Sequence, residues 1–314
     1  MPTTFVSAVR AKYEYKKSED GASEAGDYGV VGSEKTAKKQ ALDVLKCVYV
    51  PELGIDSPGE DGEVASTCSA IEELDIGGNA FDSWTPILKL TSQLPKLHWL
   101  GIDKTPLAPV TALPDGFAAA VGGLRTLCVS GTGMTWDQLL LLSSAMPILE
   151  EVYFGNNKLT TLKLASGEPL PPGTLAKVHS LYLESNALAT WSDVAPLGTL
   201  PALALLNLNF NQLEVVPPPS ADDGFRTLRH LMLRGNPIAA WSSIDALDSF
   251  PTLTEARLAE LPLTASMSGA AARRIVIARM GKLRTLNGSE VRPREREDAE
   301  RFYLRQIAQV GLGR

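Results

Sequence analysis

Apolar positions along the chain recur in one order, which the template L-x-x-L-x-L-x-x-N-x-L describes. A clear copy runs from Leu203 to Leu213, with leucines at 206 and 208 and Asn211 at the ninth position. Nine copies follow one another, 25 to 29 residues apart, and they start at Leu45, Ile71, Leu97, Leu124, Leu149, Val178, Leu203, Leu228 and Leu253. A repeat of this length and order predicts a leucine-rich-repeat solenoid of the α/β class.

Each template position predicts a local structure. Side chains alternate along a strand, so the leucines of x-L-x-L enter the core and the residues between them face solvent on the concave side of a curved parallel sheet. The asparagine bonds turn and neighbouring backbone groups through its side chain. We therefore expect an asparagine ladder, with Thr105 and Thr132 doing part of that work in two copies.

Short helices are expected on the convex side, each ended by a proline that cannot continue it. They are predicted at Trp84–Leu94, Trp136–Ala145, Trp191–Leu200 and Trp241–Phe250. The expected cap residues are Ser83, Thr135, Thr190 and Ser242. The four tryptophans are interpreted as core packing. Turn-rich insertions at 166–173 and 217–224 predict that the convex helix is lost in their repeats.

The two ends of the chain depart from the repeat. We expect an N-terminal linker or cap over 1–40, nine repeats over 41–270 and a C-terminal cap over 271–314. The N-terminal part is predicted as a helix at 5–13, a mobile loop at 16–29 and a strand at 28–32. The cap is predicted as a helix at 271–280, a truncated repeat and a helix at 293–309. In the last helix, Phe302, Leu304 and Ile307 are expected to cover the final strand.

Composition narrows the class of protein. The chain has 314 residues, of which 44% are apolar, so it is not disordered overall. A net charge of −6 argues against a general nucleic-acid binder. We find no apolar run long enough for a membrane span, and no secretory signal in 1–15. Three cysteines are too few for a disulfide framework, which favours a reducing, cytoplasmic compartment.

Candidate chemistry is sparse. The three histidines, His98, His179 and His230, fall in different repeats at positions on or beside the concave face. No HExxH, CxxC or GxSxG motif and no phosphate-binding glycine loop is present. We therefore expect no enzyme, no metal site and no cofactor.

Binding remains the favoured function. Large apolar groups at positions predicted to face water usually mark a partner site, and Trp, Tyr and Arg dominate interface hot spots. The candidate partner-binding residues on the concave face are Trp99, Tyr153, Tyr182, Leu205, Phe210, Met232, Arg234 and Arg257. Between 273 and 305 the chain has ten basic and five acidic residues. This end either steers an acidic partner or is a solvated helix with pairs such as Glu297–Arg301.

Several segments resemble tubulin-folding cofactor E. They are 127–137, with Leu127-Cys-Val-Ser130 and Thr132-Gly-Met-Thr-Trp-Asp137; 149–157, with Leu149-Glu-Glu-Val-Tyr153; and the cap from Arg274 through Gly281-Lys-Leu-Arg-Thr-Leu-Asn287 to Tyr303. The segment 5–13 resembles that family's linker into its repeats. The resemblance thus extends over nearly the whole chain.

The resemblance implies a chaperone that binds α-tubulin during assembly or disassembly of the tubulin heterodimer. It also implies other tubulin-folding cofactors as partners, and a cytoplasmic, cytoskeleton-associated location. Family members carry a CAP-Gly domain before the repeats and a ubiquitin-like domain after them, and this chain spans only the part between. The alternative is a generic intracellular repeat scaffold, such as a phosphatase regulator or an axonemal or splicing adaptor.

Overall fold

The computed structural model describes residues 3–14, 41–219 and 224–311. Two compact units are present. The first comprises Met1–Thr132 with Ala145–Leu149, and the second comprises Gly133–Ser144 with Glu150–Arg314. The domain boundaries at residues 40 and 270 follow changes in sequence pattern and stay a prediction.

All nine copies of the template form a three-residue strand, as predicted. The middle residue of each strand is the template's apolar residue, and all nine are buried. The strands are β1 (Thr3–Thr4), β2 (Cys47–Tyr49), β3 (Ile55–Ser57), β4 (Glu73–Asp75), β5 (Trp99–Gly101), β6 (Thr126–Cys128), β7 (Glu151–Tyr153), β8 (Ser180–Tyr182), β9 (Leu205–Asn207), β10 (His230–Met232), β11 (Glu255–Arg257), β12 (Thr285–Leu286) and β13 (Ser289–Glu290).

Within each unit the strands of the repeats are parallel and in register. In the first unit β4 lies between β2 and β5, so Glu73 stands opposite Cys47 and Trp99, and β6 follows β5. In the second unit β7 to β12 pair in chain order, and β13 closes the sheet antiparallel to β12. The fold class predicted from the repeats is confirmed.

The asparagine ladder is also confirmed. Asn186 accepts bonds from the backbone N–H groups of Asn157 and Leu159, at 2.9 and 3.1 Å. Its amide donates to the carbonyls of Phe154 and Leu183, at 3.1 and 3.0 Å. One buried side chain therefore satisfies polar backbone groups of two successive repeats, which would otherwise be buried without partners.

The four helices predicted to begin at Trp84, Trp136, Trp191 and Trp241 do begin there. They are α1 (Phe5–Tyr13), α2 (Glu63–Cys68), α3 (Trp84–Thr91), α4 (Phe117–Val121), α5 (Trp136–Ser143), α6 (Trp191–Val194), α7 (Trp241–Asp248), α8 (Gly269–Arg279) and α9 (Pro293–Gly311). A 3-10 segment, Ala195–Thr199, continues α6. The packing role is confirmed for Trp84, Trp136 and Trp191, which are buried, whereas Trp241 is half-buried beneath the guanidinium of Arg279.

The predicted caps are only partly right. Thr135 forms a complete capping box with Gln138 at the start of α5. Ser83 and Thr190 hold the cap positions without capping bonds from their side chains. Ser242 was the wrong residue, because α7 already includes it and Ala240 is the cap.

Two short helices were not predicted. α2 and α4 have five or six residues and start after Gly62 and Gly116, both in the left-handed conformation, without a tryptophan or a polar cap. The loss of the helix at the insertions is confirmed for the repeat that contains 166–173. In the repeat with the insertion at 217–224, the described residues are also non-helical, and 220–223 lie outside the described residues.

The N-terminal helix predicted at 5–13 is confirmed. Its side chains reach the edge of β2, where Tyr13 accepts a bond from the Tyr49 backbone N–H at 3.0 Å and Lys12 donates to the Tyr49 carbonyl. β1 pairs with β3 beside it. These contacts satisfy edge groups that a sheet would otherwise expose. The loop and strand predicted at 16–32 lie outside the described residues.

The C-terminal cap has the predicted order of helix, truncated repeat and helix. Arg296 donates to the carbonyls of Ile277, Met280 and Leu283, which binds α9 to the end of α8. Packing on that side of α9 involves the buried Ala299 and the rings of Phe302 and Tyr303, which lie against arginines of α8.

The prediction that Leu304 and Ile307 cover the last strand was wrong. Their side chains are 65% and 51% exposed. The face of α9 that carries Ala299 and Tyr303 turns toward α8, and Leu304 lies around the helix from it. Ile307 follows Tyr303 one turn later on the same side of the helix and is nevertheless exposed. The helical period in the sequence identifies the apolar residues but does not say which side meets the neighbouring helix.

Candidate binding faces on the strands

The outward positions of the strands form a separate face in each unit. The first strand face consists of the outward positions of β2, β4, β5 and β6, which are Cys47, Tyr49, Glu73, Asp75, Trp99, Gly101, Thr126 and Cys128. The second strand face consists of those of β7 to β11, which are Glu151, Tyr153, Ser180, Tyr182, Leu205, Asn207, His230, Met232, Glu255 and Arg257. The candidate residues predicted from the repeats lie on these faces or, for Phe210 and Arg234, in the turns beside them.

Aromatic and acidic groups alternate on the first strand face. The Tyr49 hydroxyl donates to Glu73 Oε2 at 2.6 Å, and this bond lowers the pKa of the Glu73 carboxyl. Trp99 stands opposite Glu73, with its ring centroid 6.3 Å from that of Tyr49 at a tilt of 59°. Tyr49 is 40% exposed, and Trp99, Glu73 and Asp75 are half-buried.

Gly101 provides the space in which the Trp99 ring lies. A Cβ at residue 101 would stand 2.8 Å from Cη2 and 2.9 Å from Cζ3 of Trp99, and 3.3 Å from Oδ1 of Asp75. The ring therefore lies across the glycine, next to the carboxylate. Asp75 Oδ1 also accepts the Gly77 backbone N–H at 2.9 Å, which holds the carboxylate in place.

Negative charge accumulates at one end of this face. The pKa of Asp103, two residues beyond β5, is raised, first by burial and further by the charge of Asp75. Its carboxylate accepts the Ser130 backbone N–H. The neighbouring Glu52 is paired with Lys104 at 3.3 Å, outside the strands.

The second strand face is dominated by two stacked tyrosines. Tyr153 and Tyr182 stand opposite each other on β7 and β8, with ring centroids 4.2 Å apart and planes within 4°. Both are half-buried, as is Leu205 on the next strand. These three residues are therefore placed as predicted. Asn207 beside them is buried and donates to Glu184 at 3.0 Å.

The prediction that Met232 faces solvent was wrong, because only 8% of it is exposed. Its neighbours on the paired strands are Asn207 and Arg257, and the amide of Asn209 lies 3.8 Å from its sulfur. An outward position in a parallel sheet is covered when the residues beside it are long. The repeat register alone does not show this covering.

Phe210 and Arg234 form a contact in the turns beyond β9 and β10. Phe210 is 46% exposed, with φ of 55°. The guanidinium carbon of Arg234 lies 5.2 Å from its ring centroid, and Arg234 also pairs with Glu260. A Cβ on Gly235 would meet the ring at 2.5 Å. Phe210 and Arg234 therefore lie together in turns beside the strands rather than on the strand face where they were predicted. Arg257 is exposed at the end of β11.

The histidines are spread over both units and do not meet as a group. His98, His179 and His230 are half-buried rather than fully exposed. His230 lies 3.9 Å from Glu255, and burial is the main reason that its pKa is lowered. Within the described ranges, no group of three His, Cys, Asp or Glu side chains is arranged to hold a metal ion. Nor does that part of the chain contain a helix long and apolar enough to cross a bilayer.

Much of the basic charge near the C-terminus holds the cap together. Arg273 binds Glu295 and the carbonyls of Leu286 and Glu290, while Arg279 binds Asp245 at 2.7 Å. The predicted Glu297–Arg301 pair is present at 3.6 Å and is well exposed. The basic residues exposed around the cap are Arg274, Lys282, Arg284, Arg292, Arg294, Arg301 and Arg305.

Repeats, ladder and sheet together define a leucine-rich-repeat protein. No family model matches the chain. Its sequence is 30% identical over 277 residues to the human tubulin-specific chaperone cofactor E-like protein, covering 87% of this chain and 63% of the relative. It is 29% identical over 323 residues to tubulin-folding cofactor E of Arabidopsis thaliana, covering 97% and 60%.

A further relative is tubulin-specific chaperone E of Danio rerio, with 28% identity over 318 residues, 98% of this chain and 60% of the relative. The resemblance to tubulin-folding cofactor E is therefore confirmed. The chain spans about three fifths of the length of these curated relatives, since the shares are 63%, 60% and 60%.

Solved structures give weaker matches. Internalin C2 of Listeria monocytogenes aligns with a TM-score of 0.42 and 18% identity, over 65% of this chain and 80% of that one. A chain of the LRIM1/APL1C complex aligns with a TM-score of 0.44 and 19% identity, over 77% and 39%. The fold class rests on the repeats and strand pairing rather than on these alignments.

Proposed function

We propose that this chain is a non-enzymatic binding module of the tubulin-folding cofactor E type. It binds α-tubulin through its strand faces and acts in assembly or disassembly of the tubulin heterodimer after the chaperonin step. The observation that carries the proposal is the similarity to curated relatives named for tubulin folding, which extends over 97% of the chain in one case and 98% in another.

The second strand face is suited to a folded protein partner. Tyr153 and Tyr182 expose flat, already stacked rings, so little side-chain freedom is lost when a partner covers them. Tyrosine supplies both apolar area and a hydroxyl, which is why it is enriched at interface hot spots. Leu205 extends the apolar surface on the next strand.

The exposed arginines of the cap add a long-range attraction. A basic patch on an otherwise acidic chain raises the association rate with an acidic partner, and this gain weakens at high salt. We place the chain in the cytoplasm, associated with the cytoskeleton, with other tubulin-folding cofactors as further partners. It uses no metal or cofactor, since binding alone performs the work.

A capture experiment tests the proposal. The purified chain is immobilised and incubated with cell extract, and bound α-tubulin is measured by immunoblot. We expect Tyr153→Ala/Tyr182→Ala to reduce capture at least about 10-fold, because two central aromatic anchors are lost. Trp99→Ala tests the first strand face in the same way.

The matched control is Val215→Ser/Leu304→Ser, which removes two exposed apolar residues outside the strand faces. It is expected to capture α-tubulin like the wild-type chain. Equal α-tubulin capture by wild type and Tyr153→Ala/Tyr182→Ala, with both folded by circular dichroism, would contradict the proposal. Capture of a phosphatase without tubulin would favour the generic scaffold instead.

A further inference from the structure

The first strand face has a charge pattern that the second lacks. Glu73 and Asp75 are its charged residues, and none of its outward positions carries a basic residue. The second strand face has Glu151 and Glu255 but also Arg257. The two faces therefore differ in the charge of the partner surface that each can accept.

Among the described residues, the carboxylates of the first strand face form no ion pair with a basic side chain. In the described residues, neither Glu73 nor Asp75 has a basic side chain within 4.0 Å, whereas their neighbour Glu72 pairs with Lys46 at 2.9 Å. The raised pKa of Asp103 reflects the charge of Asp75 in addition to burial. Negative charge is thus concentrated where aromatic surface is exposed.

The aromatic rings are arranged beside these carboxylates. Tyr49 holds Glu73 through its hydroxyl, and Trp99 lies across Gly101 with its six-membered ring next to Asp75. A planar cation above Trp99 would therefore meet a ring face and a carboxylate together. Arginine can bind both groups at once, because its guanidinium stacks on aromatic rings and binds carboxylates with two parallel hydrogen bonds.

We infer that the first strand face binds a basic side chain, arginine in preference to lysine, on the surface of a protein partner. The residues that bind it are Trp99, Asp75, Glu73 and Tyr49. This inference deepens the proposed function, on which it rests for the existence of a protein partner, by naming the chemistry of one contact.

Other occupants fit this face less well. A metal ion lacks ligands, since no group of three suitable side chains occurs in the described residues. An apolar surface would bury two carboxylates without a counter-charge, which is costly. An acidic surface would be repelled by the same two groups.

The test uses fluorine NMR of the full chain labelled with 5-fluorotryptophan, in which each of the 5 tryptophans gives its own resonance. Trp99→Phe assigns the signal of Trp99. The probes are acetylated, amidated peptides Gly-Ser-X-Ser-Gly, where X is arginine, lysine, citrulline or glutamate. Citrulline has nearly the shape of arginine without its charge, so it separates electrostatics from stacking.

We expect the arginine peptide to shift the Trp99 resonance saturably, the lysine peptide to bind more weakly, and the other two to leave it unmoved. Asp75→Asn and Glu73→Gln should each weaken arginine binding at least about 5-fold. Both variants keep an oxygen that accepts the bond from Gly77 or Tyr49, so the fold is preserved.

The control Glu151→Gln/Glu255→Gln removes two carboxylates from the second strand face, and it should change arginine binding less than about 2-fold. Three outcomes would overturn the inference: an equal shift with citrulline, equal shifts at the other tryptophans, or unchanged binding in both single variants.

Failure here is distinguishable from failure of the proposed function, because the titration contains no tubulin. Arginine binding at Trp99 without α-tubulin capture would contradict the proposed function and support this inference. Capture of α-tubulin without any arginine preference at Trp99 would support the function and reject the inference.

Discussion

The turn positions of the two units show how the same repeat is completed with different chemistry. In the second unit, Asn157, Asn186, Asn211 and Asn236 stand at the ninth template position. In the first unit, Asn79 is followed by Thr105 and Thr132. The Thr132 hydroxyl donates to the Val129 carbonyl of its own repeat at 3.0 Å, and the Thr105 hydroxyl lies 3.4 Å from the Asp103 carbonyl of its own repeat. An asparagine such as Asn186 bonds backbone groups of two successive repeats. We therefore expect the stability of the second unit to depend more strongly on single side chains at the turn position.

The largest expected difference concerns this ladder. Asn211 donates to the Leu183 and Leu208 carbonyls and accepts from the Leu188 N–H, at 3.0 to 3.1 Å. We expect Asn211→Ala to lower the free energy of unfolding by about 3 kcal/mol, because buried backbone groups lose their partners. Thr105→Ala should cost about 1 kcal/mol. Urea unfolding monitored by circular dichroism measures both.

Asn211→Thr is the matched control. It installs the residue of the first unit in the second and should give an intermediate loss, about 2 kcal/mol. Equal losses in the free energy of unfolding for Asn211→Ala and Thr105→Ala would contradict the prediction that the turn residue contributes more to stability in the second unit than in the first.

The next difference concerns two glycines that lie beneath aromatic rings. Gly235 has φ of 68°, and a Cβ there would meet Phe210 at 2.5 Å. We expect Gly235→Ala to destabilise the fold by about 2 kcal/mol, since left-handed backbone disfavours alanine and the ring must move. At Gly101 the backbone is not left-handed, so Gly101→Ala should cost under about 1 kcal/mol.

Gly101→Ala should nevertheless displace the Trp99 ring, which a change in tryptophan emission would report. A larger stability loss at Gly101 than at Gly235, measured by the same urea titration, would contradict this order.

A smaller effect is expected from the exposed aromatic groups. Tyr182→Leu removes the stack with Tyr153 and should cost about 1 kcal/mol. Tyr49→Phe keeps its ring and removes only the hydrogen bond to Glu73, which should cost about 0.5 kcal/mol. Thermal unfolding of both variants and of the wild-type chain measures these two losses of stability. A greater loss of stability in Tyr49→Phe than in Tyr182→Leu would contradict the prediction.

The smallest effects are expected in pH dependence, where the units should differ in sign. Burial raises the pKa of Asp103 above its ordinary 3.8, so its contribution to stability is present below that pH and is lost as pH rises through the higher value. Arg273 holds the pKa of Glu295 below its ordinary 4.5. That contribution is present above 4.5 and is lost as pH falls through the lower value.

Unfolding free energies of Asp103→Asn and Glu295→Gln between about pH 3 and pH 7 test these signs. Relative to wild type, Asp103→Asn should gain stability as pH rises, and Glu295→Gln should lose it. Parallel curves for the two variants would refute the assignment.

The sequence predicts the repeats well, but it predicts less well which side chains are exposed on the surface. Each of the nine template strands and each tryptophan-led helix follows from local spacing, because the apolar positions and the turn residues determine them together. The helices α2 and α4 were missed because they are short and begin after left-handed glycines. Spacing places Tyr153 and Tyr182 outward on neighbouring strands, and their stacking then follows from the register.

The spacing of residues along the sequence does not predict which side chains are covered by side chains of neighbouring strands or helices. Met232 is buried between residues of adjacent strands, and Leu304 is exposed because another side of α9 meets α8. The bond between Tyr49 and Glu73 joins residues of different repeats, and the space at Gly101 becomes meaningful only once the Trp99 ring lies over it. These features depend on contacts across strands rather than along them.

Photo-crosslinking tests the central claim, that the strand faces bind α-tubulin, most directly. Benzoylphenylalanine replaces Tyr182, and the purified chain is irradiated with α/β-tubulin. The account predicts a covalent adduct with α-tubulin, and none when the same group replaces the exposed Val215 or Leu304. No adduct from position 182, or equal adducts from all three positions, would contradict it.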